Sequence, residues 1–463
     1  MKELLDLLRR NKRFFLFATL AALALRLFFV CVFPHVDGDS LLYGDIAKNW
    51  MSHGIYGITV DDQIKPTLIR LPGYPAFLVL VFSLFGREHY TAVMITQALI
   101  DTNTCLVIAA LALELMNRRA AKAAYLMSAI CPFTANYAAA PLTETLAVFC
   151  AAHSLYYGVR GVKSFEDADT KRVRPRLLPW VAAGVWTAAG ILLRPDGGLM
   201  LAALGLGLLV LLFRSGDKKR VVVAGILLAM TSLGPLAPWT LRNWRSFHVF
   251  EPLAPRYAND PGEFVERGFN HWIKTWIADY VSVHEIYWHS GEESIDAGLL
   301  PERAFDSRQD YDRTHRLIDQ YNQQVDLSPA LDARFEQLAR DRIGRKPFRY
   351  YLWLPALRIA DMWFRPRTEL LPIESRWWEV SAHPEESAWA LLLAGINLFY
   401  LLAALRGWLN WKLGVGGVVL AGFIVVRSAF LGTLENPESR YVLECFPAVL
   451  ALAGGAFARP GNL

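Results

Sequence analysis

Apolar runs that approach bilayer-crossing length recur along this 463-residue chain, and they decide its class before any single residue is considered. Residues 14–33 are apolar except for Arg26, and further runs cover 90–115, 123–140, 145–159, 178–193, 197–213, 221–241, 388–405, 413–431 and 441–457. A hydrocarbon core about 30 Å thick takes roughly 20 residues of helix, and backbone in lipid has to satisfy its own hydrogen bonds. The expectation is an all-α polytopic membrane protein, in keeping with 54% hydrophobic residues. The net charge of +5 comes mainly from short loops, so it reports orientation rather than nucleic-acid binding. No GxxxxGK[ST] phosphate loop is present, which argues against ATP as the driving partner. Cys31, Cys105, Cys131, Cys150 and Cys445 have no paired spacing, and no disulfide framework is expected.

Charge then orients the chain. Lys2, Arg9, Arg10, Lys12 and Arg13 precede the first run and no small-residue cleavage site follows it, so the reading is a retained span with a cytoplasmic N-terminus. The loop from Asp37 is then extracytoplasmic. Within it, Leu42, Ile46 and Trp50 fall on one side of a helical stretch from Asp39 to Ser52, as in a helix lying on the membrane surface. Residues 71–85 give a rise of only about 22 Å, which leaves a parity question. If 71–85 and 90–115 both cross, the basic Arg118 loop falls on the Asp39 side; if one is re-entrant or interfacial, it falls opposite. Beyond it, the basic loops 160–176 and 214–220 read as cytoplasmic, and the Glu144 and Arg194 corners read as outward. The resulting organisation is a transmembrane module at 1–241 with its first loop at 34–70, a mainly helical hydrophilic region at 242–388, and C-terminal spans at 389–463. In the middle region, Ser328 before Pro329 is a helix-start signal.

Charge near hydrocarbon is expensive, about 2.5–3.5 kcal/mol at a helix centre, so its gathering on one side asks for a reason. Asp37, Asp39, Asp45 and Arg70 lie in the first loop, Glu144, Arg194 and Asp196 at corners, Arg242 at a helix end, and Glu438, Arg440 and Tyr441 before the last run. Acids beside arginines suit transfer of a group from an anionic lipid. A carboxylate takes a proton from an acceptor hydroxyl, and guanidinium groups neutralise a departing phosphate. Each residue also has an ordinary role open to it: Asp39 as an N-cap, Glu144 as a first-turn acid favoured by the helix dipole, Arg194-Pro195-Asp196-Gly197 as a turn with a snorkelling arginine, and Arg440 with Tyr441 as interface anchors. Asp37-Gly38-Asp39 has the look of a metal-holding aspartate pair, but a lipid monophosphate needs less charge neutralisation than a diphosphate. His284-Glu285 with His289 is one residue too long for a zinc helix. No metal site is expected.

These pieces together, with Tyr43 four residues after Asp39, IAKNWMSHGIYG, RLPGYPAFLVLVFSLFG, PLTETLAVF, LLRPDGGL, PWTLRNWRSFHVFEPL and ESRYVLECFPAVLALAGG in that order, are familiar. The chain resembles the GT-C membrane glycosyltransferases that use polyprenyl-phosphate sugars, a class including protein O-mannosyltransferases and the lipid A aminoarabinose transferase. The resemblance implies a bundle of about 10–12 transmembrane helices with extracytoplasmic surface helices and a small extracytoplasmic domain. It implies Asp39 as the catalytic base, Glu144 as a second acid, and Arg70, Arg242 and Arg440 at the donor phosphate; Asp37, Tyr43, Arg194 and Tyr441 complete the substrate-binding set expected here. The activity implied is inverting transfer of a sugar from a polyprenyl-phosphate donor to an extracytoplasmic glycolipid, glycan or protein, at the periplasmic face of the inner membrane. No nucleotide sugar or cofactor is required, a divalent metal is not predicted, and nucleic acid is not a partner. The competing expectation is a transporter or flippase of a lipid-linked sugar. Such proteins are built on paired repeats with broken helices at the midplane, whereas here most of the charge lies on one outer face.

Overall fold

The computed structural model describes residues 2–171 and 173–459, and they fall into two compact units. The first comprises residues 1–261, 398–426 and 443–463, and the second 262–397 and 427–442. It is a multi-pass membrane protein. Six stretches are long and apolar enough to cross a bilayer on length and composition: Lys12–Val32, Tyr90–Leu115, Pro195–Arg214, Lys218–Phe247, Pro384–Asn410 and Gly414–Gly432. Among the described residues these six fall short of the about 10–12 transmembrane helices expected, because Gly73–Phe85 and Leu178–Leu193 are apolar but too short to meet the same length.

In the first unit the helices are α1 (Lys2–Arg10), α2 (Lys12–Val32), α3 (Asp39–His53), α4 (Gly73–Phe85), α5 (Tyr90–Leu115), α6 (Arg118–Ala129), α7 (Pro132–Tyr137), α8 (Glu144–Lys171), α9 (Leu178–Leu193), α10 (Leu199–Arg214), α11 (Lys218–Leu233) and α12 (Leu236–Phe247). A two-stranded antiparallel hairpin, β1 (Gly57–Val60) and β2 (Gln63–Pro66), follows α3, with Gly57 opposite Pro66. The run expected at 123–140 is interrupted between α6 and α7, because Pro132 has no N–H to continue the ladder.

The parity question is answered by α4. Its first turn places Tyr74 edge-on to Tyr43 of α3, with ring centroids 5.0 Å apart. At its far end the Ser83 hydroxyl donates to Met51 Sδ at 3.4 Å, and Lys48 reaches Glu88 at 3.3 Å. Both ends therefore lie on α3, and thirteen residues span only about 20 Å. Helix α4 lies along the surface helix and does not cross. Consequently α5 carries the chain away from Asp39, and the Arg118 loop sits at the end of the unit opposite the Asp39 loop.

A fully buried ion pair ties the interior together. Arg26 of α2 donates through Nε to Asp101 of α5 at 3.0 Å, and through its terminal nitrogens to the carbonyls of Ala22, Ser128 and Ala129. The last two carbonyls belong to the end of α6 that Pro132 leaves short of donors.

The second unit contains α13 (Arg267–Lys274), the single turn α14 (Tyr280–Ser282), α15 (Arg308–Gln324), α16 (Pro329–Arg345) and α17 (Leu354–Phe364). Helices α18 (Pro384–Asn410) and α19 (Gly414–Gly432) contribute to both units, and α20 (Phe446–Gly455) returns to the first. Phe269, Trp272, Trp276, Tyr321, Phe335 and Leu338 form its core. Ser328 caps α16 as its sequence predicts, accepting from Leu331 N–H at 3.3 Å. Asp332 in turn accepts from the N–H groups of Gly268 and Phe269, which open α13 without a side-chain cap of their own.

Asp361 in α17 gives this unit a pH dependence. Burial holds its carboxyl up at about 7, with Arg365 opposing, Asp279 adding, the Tyr280 N–H opposing and Glu369 adding. The folded unit thus keeps a proton that the unfolded chain releases near 3.8. This contribution is complete below that value and is lost as pH rises through about 7. We expect the thermal midpoint of Asp361→Asn to exceed that of wild type by less at pH 5 than at pH 8. A midpoint difference that does not change with pH would refute the assignment.

Candidate active site

The site grows from three backbone corners of the first unit. At the first, Gly38 is the N-cap of α3, with φ of 43°, a left-handed value that favours glycine. Asp39 therefore stands inside the first turn rather than at the cap, and its carboxylate is directed elsewhere. Its Oδ1 accepts from Arg70 at 2.7 Å. The Arg70 guanidinium also lies 5.8 Å from the centroid of the Tyr43 ring.

The second corner fixes Arg70. Arg242 of α12 donates to the Tyr56 and Thr67 carbonyls at 2.6 and 2.7 Å, on either side of the hairpin. It is packed over the rings of Tyr56, Trp239 and Phe247 at 5.1–5.3 Å. Leu68 N–H donates to Asp260, and the Tyr56 hydroxyl to the Arg70 carbonyl. Two donors of Arg242 are thus spent on holding the segment that presents Arg70, which assigns Arg242 a positioning contact. Gly73 completes the turn. A Cβ there would stand 2.6 Å from the Leu192 carbonyl oxygen, so only glycine lets this segment lie against the end of α9.

At the third corner, α9 ends at Leu193 and a short 3-10 turn, Pro195–Gly198, leads into α10. Arg194 faces inward there and is 16% exposed rather than snorkelling. It pairs with Glu144, the first residue of α8, at 2.9 Å, with Asp196 at 3.2 Å and with Glu444 at 3.5 Å. Glu144 is buried at 3% exposure. One guanidinium is therefore shared by three carboxylates. Glu444 was not singled out in the sequence; a lone acid inside the apolar 441–457 run was the signal that pointed to it.

Tyr43 joins the two ion pairs. Burial pushes its phenol up to about 12, and the charges of Arg70, Asp39, Arg194 and Glu144 all act on it. Behind it Tyr74 donates to Gln97 of α5 at 2.8 Å, and Gln97 donates to the carbonyls of Ala138 and Ala140, which closes the rear wall. The structure thus gathers Asp39, Tyr43, Arg70, Glu144 and Arg194. Asp37 is at the rim, 67% exposed and paired with His35 at 2.9 Å. Asp45 accepts from the Thr59 N–H at 2.6 Å and its hydroxyl at 3.0 Å, an attachment of α3 to the hairpin. Arg440 and Tyr441 belong to the second unit, where Glu438 takes Arg440 at 2.6 Å and the Tyr441 hydroxyl at 2.5 Å. Glu285 is held there by two contacts from Arg376, at 2.8 and 2.7 Å. Among the described residues, no group of three or more His, Cys, Asp or Glu side chains is placed to hold a metal ion.

Two hollows adjoin these corners. One of about 830 Å³ is almost entirely apolar and runs from Ile191 and Pro195 past Leu233 and Leu236 to Trp244. The other, of about 560 Å³, is walled by Trp50, Tyr56, Pro72, Leu192, Trp239 and Arg242.

The arrangement of helices is shared with archaeal oligosaccharyltransferase AglB from Archaeoglobus fulgidus, solved with an inhibitory peptide and a dolichol-phosphate. The TM-score is 0.56 at 12% identity, covering 97% of this chain and 50% of that one. The chain has the GT-C fold. The apo form of the same archaeal protein aligns at a TM-score of 0.53 and 12% identity, over 96% of this chain and 50% of that one. ArnT from Cupriavidus metallidurans in the apo state aligns at 0.42 and 14% identity, over 96% and 76%, too weakly to support an argument about fold. Residues 65–239 of this chain match the family model described as dolichyl-phosphate-mannose-protein mannosyltransferase. No curated protein matches at the sequence level. The chain spans about half the length of the archaeal structures it matches.

Proposed function

We propose that this chain is an inverting glycosyltransferase that takes a sugar from a polyprenyl-phosphate donor and acts at the extracytoplasmic face of the inner membrane. The observation that carries the reading is the Asp39–Arg70 pair next to the Glu144–Arg194 pair, both acting on Tyr43, with an apolar groove beginning at Pro195 beside Arg194. Carboxylate and guanidinium in contact are poised for exchange: a donor phosphate entering the site competes for Arg70 and releases the Asp39 carboxylate. Asp39 then removes the proton from the acceptor hydroxyl as its oxygen attacks the anomeric carbon. The bond from that carbon to the phosphate oxygen breaks, its electron pair leaves on the phosphate, and Arg70 balances the added charge. A single displacement inverts the anomeric centre. In this reading Glu144, Asp196 and Glu444, gathered around Arg194, orient sugar hydroxyls, and the groove from Ile191 to Trp244 takes the polyprenyl chain. The basic end of the unit, which carries the Arg118 loop, faces the cytoplasm by the distribution of lysine and arginine.

The test is mass spectrometry of envelope glycolipids and glycoproteins from cells with and without the gene, followed by anomeric assignment of the missing product. A sugar absent from the deletion strain and inverted relative to its lipid donor supports the reading. Lipid-linked sugar that crosses the membrane with no glycosidic bond formed would transfer it to a flippase.

A further inference from the structure

At the end of the first unit opposite Asp39 lies a cavity of about 690 Å³ for which the transfer reaction has no use. Its walls come from the last turns of α5, the second half of α8 and the segment before α9, and Glu3 and Leu4 of α1 close one side. Four cations, Arg160, Lys163, Arg174 and Arg176, line it together with three acids, Glu3, Glu114 and Asp167, which leaves a small cationic excess. Arg160 and Lys163 share a single carboxylate, Glu114, at 3.4 and 4.0 Å. Arg174 and Arg176 are exposed and have no ion-pair partner among the described residues. Arg160 also donates to the Tyr156 hydroxyl at 3.3 Å, so that an uncharged polar group is presented beside the cations.

The position selects the class of anion. Arg160 and Lys163 lie sixteen and nineteen residues along α8 from Glu144, about 24–29 Å at helical rise and close to the thickness of a hydrocarbon core. The cavity is thus level with the headgroups of the leaflet opposite the Asp39 site. Helix α1 has the form of an in-plane interfacial helix: Leu7 is buried, and Arg9 and Arg10 are exposed on its last turn. Exposed apolar side chains stand at the same level, with Val173 at 56% and Leu178 at 75%. Cations around a polar hollow with bare apolar residues beside it match a phosphodiester with acyl chains attached better than they match a soluble anion.

We propose that this cavity binds the headgroup of an anionic phospholipid, its phosphate on Arg174, Arg176 and Lys163 and its chains along Val173 and Leu178. The test is native mass spectrometry of the full-length protein in a non-ionic detergent, titrated with phosphatidylglycerol or with phosphatidylcholine of the same chains. Phosphatidylglycerol should be retained about fivefold or more over phosphatidylcholine, and Arg174→Glu/Arg176→Glu should lower its retention by a similar factor. Arg176→Gln alone, with its thermal midpoint read in parallel, should give a smaller loss in a protein that unfolds like wild type. Equal retention of the two lipids, or undiminished phosphatidylglycerol on both variants, overturns the proposal. Displacement of the bound lipid by millimolar inorganic phosphate would also overturn it, in favour of a free-anion site.

Discussion

Asp39→Asn should reduce transfer by about a hundredfold or more, or about 2.7 kcal/mol of barrier, while the protein still folds. The substitution keeps the size of the side chain and its place in the first turn of α3, and an amide oxygen still accepts from Arg70 across the 2.7 Å contact. What it removes is the ability to hold the acceptor's proton. The helix start does not depend on it, because Gly38 and not Asp39 occupies the cap. Asp37→Asn, at an exposed rim position paired with His35, should stay within about twofold of wild type and serves as the control. Turnover is measured on the purified protein with a polyprenyl-phosphate sugar and an acceptor fraction from envelopes. Near-normal turnover by Asp39→Asn would move the base to another acid, with Glu144 the next candidate.

Breaking the buried pair in the bundle should cost more than any change at the surface. Arg26→Met leaves Asp101 buried without its cation and strips donors from the Ser128 and Ala129 carbonyls, so we expect a loss of about 3–5 kcal/mol. Asp101→Leu should cost a similar amount by stranding Arg26. The double variant Arg26→Met/Asp101→Leu should recover most of the loss, since replacing both members of a buried pair by apolar groups avoids an uncompensated charge. It should not recover all of it, because Pro132 still leaves the end of α6 short of a donor. The readout is the denaturant or thermal midpoint of the detergent-solubilised protein. Single variants as stable as wild type would show that water reaches this pair.

Much of the candidate site was legible before the fold was known, because charge in an apolar chain stands out. Asp39, Arg70, Glu144 and Arg194 are such charges, and the structure brings them around Tyr43. Glu444 was passed over although it obeys the same rule, since it sits inside a run read as a membrane span. The ordinary roles weighed for each residue also resolved differently. Asp39 is not the cap, Arg194 does not snorkel, and Glu144 sits at its helix start as the dipole favours while also pairing with Arg194.

The sequence alone determined the class of protein and where its charges gather: run lengths set by bilayer thickness, loop charges that alternate, Ser328 before Pro329, and acids collected at one end. These are local properties of length, periodicity and charge. The tertiary structure decided what depends on partners distant in the chain. It laid α4 along α3 and so fixed the face to which the Arg118 loop belongs. It committed Arg242 to the Tyr56 and Thr67 carbonyls, and it added Glu444 to Arg194 from 250 positions downstream. Nothing in a linear pattern says which of several cations will reach a given carboxylate, because that choice is made by packing between helices.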